Sequence, residues 1–331
     1  MSVPSLINFK NLIGDFHSDS FESIALEVFQ FQAEYNSIYQ SYLAHLGVAP
    51  FEITSTNEIP FLPIEFFKSF DVKTGSWVEK NKFLSSGTTS ILRSSHSIED
   101  LQFYLTHTQN IYEQFYPKLT DTTILALLPS YLEQGGSGLV SMIDSFITKS
   151  NSGNSGFYLN NYKELEATLI EALDTNKPVV LFGVTYALLD FACKTNKKFE
   201  QLIVIETGGM KGRREELTKA EIHVILKEEL GVDKIHSEYG MTELLSQAYS
   251  QGEGIFESPK TMKVVIKDIN DPFKTIENES AGVVNVFDLA NVHSCCFIET
   301  KDIGKRYENG RFEILGRMDN SEARGCNLLI S

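Results

Sequence analysis

The sequence predicts an α/β fold with a β-rich part from about residue 261, and two patterns predict it. Strand-like apolar runs alternate with helical ones through the middle of the chain: TILALLP before a helix over 138–149, PVVLFG before YALLDFACK, and QLIVIETGG before a charged helix that ends at Leu230. Such alternation argues for a largely parallel sheet. From about Thr261 the runs MKVVIKD, GVVNVFDL, SCCFIET and GRFEILGR are shorter and separated by turn residues, the pattern of an antiparallel β subdomain.

Ahead of these, Asp19 and Glu22 read as a capping box. Ile24, Val28, Phe31, Tyr35, Ile38, Tyr42 and Leu46 then recur near helical spacing up to Gly47, which predicts one long amphipathic helix. Pro50, Pro60 and Pro63 break the next stretch. The run VVLFGVTYALL is too short to span a bilayer and reads as a buried strand entering a helix. SNSGNSG at 150–156 reads as a flexible surface loop.

With 331 residues, 42% of them hydrophobic, the chain can bury a large core as one elaborate domain or two. Its 29 Lys and Arg against 44 Asp and Glu give a net charge of −15, and no basic run interleaves with aromatics. Nucleic acid is therefore a poor partner. The cysteines, Cys193, Cys295, Cys296 and Cys326, form no C-x-x-C pair, and MSVPSLINFK lacks the parts of a signal peptide. A cytoplasmic protein with reduced thiols is expected. His293, Cys295 and Cys296 fall on a predicted strand, where neighbours point to opposite faces, so core packing is expected there and not a metal site.

The stretch KFLSSGTTSILRSSH, 82–96, sets Ser85, Ser86, Gly87, Thr88 and Thr89 between two short strand-like segments. Backbone N–H groups of a glycine-containing turn can converge on an anion, and hydroxyls add donors that rotate to suit. This is a candidate phosphate cradle, although the loop alone fits a polar hairpin turn as well. It is no Walker A loop, because no lysine follows the glycine. Gly135, Gly136, Ser137 and Gly138 likewise miss the G-x-S-x-G pattern, since Leu139 follows.

Four further segments follow in order: IETGGMKG at 205–212, SEYGMTE at 237–243, ETKD at 299–302 and GRMD at 316–319. Together with SSGTT they resemble the motifs of the adenylate-forming superfamily, whose members activate carboxylic acids with ATP. ETKD departs from the usual T-G-D by carrying Lys301. LLPSYLEQGGSGLVSMI at 127–143, LFGVTYALLDFA at 181–192 and the ending EARGCNLLIS resemble more closely the acyl-protein synthetase (LuxE-like) family, a component of bacterial fatty acid reductase systems.

The resemblance implies an adenylating domain over 1–315 and a hinge remnant with a cysteine tail over 316–331, with no full C-terminal domain. It implies that a carboxylic acid of fatty type and ATP give an acyl-adenylate and pyrophosphate, and that the acyl group moves to Cys326 and on to a partner reductase. On this reading Ser85 to Thr89 hold phosphate, and Thr242 bonds the α-phosphate. Glu243 holds Mg²⁺, which favours carboxylates combined with substrate phosphates. Tyr239 and Gly240, with Gly208 and Gly209 opposite, enclose adenine; Asp302 accepts the ribose hydroxyls; Arg317 donates to ribose or phosphate. Gly135, Gly136 and Ser137 wall the acid pocket. The lysine that the superfamily carries beyond the hinge has no counterpart among the twelve residues after Asp319, which leaves Lys211, Arg213 and Arg214 as candidate phosphate cations or as a solvated helix start. Arg324 beside Cys326 would favour the thiolate. Two alternatives stay open: a ligase passing the adenylate to coenzyme A or a carrier protein without a cysteine intermediate, and a nucleotide-binding scaffold without catalysis.

Overall fold

The computed structural model describes residues 21–85, 93–129, 136–208, 217–276 and 279–318. Its chain begins with two helices, α1 (Phe21–Tyr35) and α2 (Ser37–His45), where one was expected. Asn36 makes the break. Its backbone is extended, its carboxamide oxygen caps α2 by accepting from Tyr39 N at 3.0 Å, and its Nδ2 donates to the Ser294 carbonyl at 2.8 Å. A residue that bonds a distant carbonyl through the same amide that caps a helix fixes the turn at that point. Asp19 lies outside the described residues; Glu22 instead pairs with Lys263 at 2.9 Å.

Next come β1 (Leu62–Pro63), α3 (Phe66–Ser69) and the hairpin β2 (Asn81–Leu84) and β3 (Ser95–Ile98). The central unit comprises α4 (Leu101–Phe115), β4 (Thr123–Leu127), α5 (Gly138–Ser150), β5 (Gly156–Phe157), α6 (Tyr162–Leu173), β6 (Val179–Val184), α7 (Thr185–Ala192), β7 (Ile203–Thr207), α8 (Lys219–Leu230), β8 (Ile235–Tyr239) and β9 (Ala248–Ser250). Its sheet runs β5-β4-β6-β7-β8-β9, parallel except for β9. Helices cover both faces, so every residue of β4 and β6 is buried and those strands read as unbroken apolar runs. The 150–156 segment is held, not loose: Ser150 Oγ bonds Ser155 Oγ at 2.8 Å, and Ser155 Oγ accepts from Ile124 N at 2.9 Å.

The second sheet contains β10 (Ile255–Phe256), β11 (Met262–Lys267), β12 (Gly282–Asp288), β13 (Phe297–Arg306) and β14 (Phe312–Arg317) in the order β10-β14-β13-β12-β11, antiparallel as expected. The N-terminal part also enters it. β1 adds to β13 in parallel, pairing Leu62 with Ile298, and α1 and α2 share its apolar core through Phe29, Tyr39, Phe287 and Phe297. The β-rich unit is therefore built from both ends of the chain. Cys295 and Cys296 lie in the turn before β13 and not on the strand, and both are fully buried, in keeping with core packing. His293 pairs with Glu99 at 3.3 Å and packs against Trp77. Among the described residues no group of His, Cys, Asp and Glu could hold a metal between protein side chains alone, and no helix is long and apolar enough to cross a membrane.

Candidate functional site

The β2–β3 hairpin flanks the Gly and Ser-rich segment in sequence. At the loop base Ser85 N donates to the Ser94 carbonyl at 3.0 Å, Ser94 N returns a bond to Ser85 Oγ at 2.9 Å, and Arg93 Nε donates to the Ser85 carbonyl. Ser86, Gly87, Thr88 and Thr89 lie outside the described residues. So do Gly135, Gly209, Lys211, Arg213, Arg214 and Cys326.

The hairpin touches two other candidate segments. On one side Leu84 N donates to the Gly136 carbonyl at 2.8 Å, and Gly138 lies so close to the Phe83 ring that a Cβ there would meet it at 3.0 Å. Gly136 has a φ of +67°, a conformation that favours glycine. Ser137 caps α5, its hydroxyl accepting from Val140 N at 3.4 Å.

On the other side the hairpin holds the turn that follows β8. His96 is buried, and burial pushes its pKa down, so the ring is neutral at pH 7. Its Nδ1 lies 2.8 Å from the Thr242 carbonyl, which can only accept; the proton therefore sits on Nδ1. Ser94, two residues earlier, lies near enough to the Glu243 carboxylate to favour its charged form. Asn291 Nδ2 holds the Glu243 carbonyl at 2.7 Å, and Asp288, fully buried, accepts from the backbone N–H groups of Leu245 and Ser246 at 2.7 and 2.9 Å. The Thr242–Glu243 turn is thus fixed from the hairpin, from the turn before β13 and from the end of β12.

Glu243 is 4% exposed, and burial raises its pKa. Lys68 and Arg317 act on it from beyond ion-pair distance, and among the described residues it has no ion pair. A buried carboxylate one residue from a candidate phosphate ligand, without an ion-pair partner among the described residues, suits a divalent cation shared with phosphate oxygens.

Tyr239 ends β8. Its ring packs on Phe256 and Phe312, and its hydroxyl donates to Asp302 Oδ2 at 2.8 Å. Asp302 pairs in register with Arg317 between β13 and β14, and Arg317 Nε stands 4.0 Å from Oδ1 with the rest of its side chain exposed. Burial raises the Asp302 pKa as well. Lys301 turns the other way and pairs with Glu65, while Thr300 Oγ1 bonds the Val284 carbonyl at 2.7 Å. Gly208, with φ of +74°, follows β7, its carbonyl accepting from Thr185 Oγ1 at 3.1 Å.

The structure therefore brings Ser85, Gly136, Ser137, Thr242 and Glu243 to the hairpin, and Tyr239, Asp302 and Arg317 to the junction of the two sheets. Sequence reasoning missed His96, Ser94 and Asp288. His96 and Ser94 lie within the quoted loop segment, but nothing local marks them as partners of Thr242 and Glu243. Reasoning also missed a buried network at the carboxyl ends of β7 and β8, in which Glu206 accepts from Lys219 at 2.6 Å and from Thr185 at 2.8 Å.

No family model matches the chain, and no match is found among curated proteins. Solved structures do match. ATP-bound MatB from Rhodopseudomonas palustris is similar with a TM-score of 0.53 at 19% identity, over 71% of this chain and 47% of that one. 2-Hydroxyisobutyryl-CoA ligase in the postadenylation state with 2-HIB-AMP gives 0.68 at 14% identity, over 91% and 68%, and its complex with 2-HIB-AMP and CoA in the thioesterification state gives 0.67 at 13%, over 96% and 69%. The chain spans about half the length of the MatB structures it matches. At these identities the likeness is one of fold: this chain has the α/β fold of adenylate-forming enzymes.

Proposed function

We propose that the protein activates a carboxylic acid with ATP, forming an acyl-adenylate and releasing pyrophosphate. The observation that supports this reading is the contact of the β2–β3 hairpin with the turn after β8, His96 Nδ1 to the Thr242 carbonyl, next to the buried Glu243 carboxylate. Attack of an acid on the α-phosphorus brings two anions together, so the site must supply fixed donors and positive charge. Ser85 to Thr89 would hold the departing phosphates and Thr242 the α-phosphate. Glu243 would hold Mg²⁺, which supplies charge neutralisation when bound. Tyr239, Gly208 and Gly209 would bound the adenine, with Asp302 on the ribose and Arg317 beside it. The 2-HIB-AMP complex of the similar CoA ligase supports the reading, being an acyl-adenylate held on the same fold.

The finer proposal, of acyl-protein synthetase type, is that the acid is of fatty type and that the Cys326 thiolate attacks the adenylate carbonyl, forming a thioester and releasing AMP, before the acyl group passes to a reductase in the cytoplasm. The thiols within the described residues fit a carrier less well. Cys295 and Cys296 are fully buried, and burial pushes the Cys295 thiol up to about 12. Cys193 is exposed at the end of α7, remote in the chain from every proposed ATP ligand but Gly208 and Gly209.

Acid-dependent exchange of labelled pyrophosphate into ATP tests the first step. Exchange that needs both acid and Mg²⁺ is expected; none with any carboxylic acid tried would leave a nucleotide-binding scaffold. A retained thioester on the protein separates the cysteine route from direct transfer to coenzyme A.

A further inference from the structure

The short helix α3 joins two segments of the candidate site that lie far apart in the sequence. The chain reaches it from β1, which pairs with β13, and Ile64 N extends that pairing by donating to the Glu299 carbonyl at 2.9 Å. Glu65, immediately before α3, pairs with Lys301, the neighbour of Asp302. Two residues on, the buried Phe67 meets the His96 ring edge-on with centroids 5.6 Å apart, and His96 in turn holds the Thr242 carbonyl. One end of α3 is therefore fixed to the strand that carries Asp302, and its inner side to the residue that fixes Thr242.

Lys68 comes next in this helix. Its backbone N–H donates to the Glu65 carbonyl at 2.9 Å, which closes the turn and sets its side chain three positions from Glu65, on a neighbouring side of the helix. The side chain is partly exposed. Burial raises the Glu243 pKa, and the charges of Arg317 and Lys68 act against that rise, so the Lys68 ammonium lies within electrostatic reach of the Glu243 carboxylate. The cations here differ in what they already hold. Lys301 is paired with Glu65 and Arg317 stands 4.0 Å from Asp302, whereas Lys68 has no ion pair among the described residues. An ammonium kept near a buried carboxylate without pairing to it has donors left for a second anion.

We propose that Lys68 is a catalytic cation of the adenylating step and binds the ATP phosphates beside Thr242 and Glu243. This rests on the acid-activating reading and supplies side-chain positive charge that the reading requires. A carboxylate oxygen bonds to the α-phosphorus as the bond to pyrophosphate breaks, and the electron pair leaves with pyrophosphate. No proton need move, so the demand on the protein is charge neutralisation, which an ammonium positioned by α3 meets. Sequence reasoning pointed instead to Lys211, Arg213 and Arg214. It passed over Lys68 because the link to Thr242 runs through Phe67 and His96, and no local spacing records it.

The test sets ATP against adenosine, each titrated by calorimetry in the presence of Mg²⁺, with pyrophosphate exchange measured beside it. Lys68→Ala should weaken ATP binding about tenfold or more, the scale of a hydrogen bond to a charged group, and leave adenosine binding unchanged. Exchange should fall roughly 10²-fold. Lys68→Arg should restore most of the ATP affinity, and Lys68→Met, which keeps an apolar stem, replaces Lys68→Ala if the latter is unstable. Lys73→Ala serves as a control of equal charge change, because Lys73 is already paired with Asp71 at 2.7 Å, and it should leave ATP affinity as it is. Equal losses for ATP and adenosine, or ATP affinity unmoved in Lys68→Ala and Lys68→Met, overturn the proposal, as does a wild-type protein that binds no ATP. If no acid supports exchange, the activation reading falls alone, and the ATP-to-adenosine comparison still decides whether Lys68 holds phosphate.

Discussion

The Tyr239 hydroxyl donates to Asp302 Oδ2 at 2.8 Å, tying the last residue of β8 in the central sheet to the middle of β13 in the other. The bond occupies part of the carboxylate expected to receive both ribose hydroxyls. It leaves Oδ1, which faces Arg317, as the freer oxygen. Tyr239 thus orients Asp302 in addition to offering its ring to the base.

That arrangement predicts different results for two substitutions. Asp302→Ala should weaken ATP binding by about 1.5–3 kcal/mol, the range for hydrogen bonds to a charged group. Tyr239→Phe keeps the ring against Phe256 and Phe312 and should cost only about 0.5–1.5 kcal/mol, the net worth of one ordinary hydrogen bond. ATP titration calorimetry with both variants and the double variant measures the coupling. Equal losses from the two single changes would contradict an orienting role for Tyr239.

Glu243→Gln should leave the fold intact and lower exchange by roughly 10²-fold or more, the usual scale for one electrostatic contact to a transition state. Because burial raises the Glu243 pKa, the carboxylate is protonated at pH values where exposed carboxylates are already charged. Activity should therefore rise with pH through a point above the ordinary carboxylate range, and Mg²⁺ should move that point down by favouring the anion. A rate profile whose lower limb ignores Mg²⁺ concentration would count against metal binding at Glu243.

Much of the fold was legible in the residues, and the failures have physical causes. β4, β6 and β7 could be read because strands covered on both faces announce themselves as apolar runs. The break at Asn36 could not, because Asn36 bonds a carbonyl 258 residues away, and no local spacing encodes that partner. β1 was missed because two residues are too few to show a period. At the candidate site, Thr242 and Glu243 were singled out by their motif. His96, which fixes Thr242 from 146 residues away, and Asp288 were invisible until the chain was folded.

His96→Ala should expose this dependence. It leaves the Thr242 carbonyl without its donor and opens a space beside Phe67, against which the ring packs edge-on. A stability loss on the order of 2–4 kcal/mol is expected from the unpaired carbonyl and the cavity together. Exchange activity should fall further than stability at the assay temperature explains. A variant with normal exchange and reduced melting temperature would assign His96 to packing alone.

Glu206 predicts the acid limb of stability. Burial opposes its charge, but Lys219 and the hydrogen bonds around it hold its pKa at about 2, against 4.5 for an unperturbed glutamate. A depressed folded-state pKa gives stability that is present above about pH 4.5 and lost as pH falls towards 2. The difference corresponds to about 3 kcal/mol at neutral pH, an order-of-magnitude figure for a strongly coupled pair. Glu206→Gln should flatten denaturant midpoints between pH 5 and pH 3 relative to wild type. An unchanged slope would show that other carboxylates dominate acid unfolding.

The last prediction separates the two half-reactions. If the acyl group is carried on Cys326, Cys326→Ser should leave acid-dependent pyrophosphate exchange intact, because the thiol has no role until the adenylate exists. The same change should abolish labelling of the protein by radioactive acid in the presence of ATP, since a serine hydroxyl stays protonated and is a far weaker nucleophile than a thiolate. Hydroxylamine-sensitive label that persists on the serine variant would refute the assignment. Suspicion would then pass to Cys193, which is exposed, and not to Cys295 or Cys296, which are buried. Loss of exchange and labelling together would indicate instead that the segment around Cys326 packs against the adenylating site, and a Cys326→Ala variant that restores exchange without label would return the thiol to its proposed role.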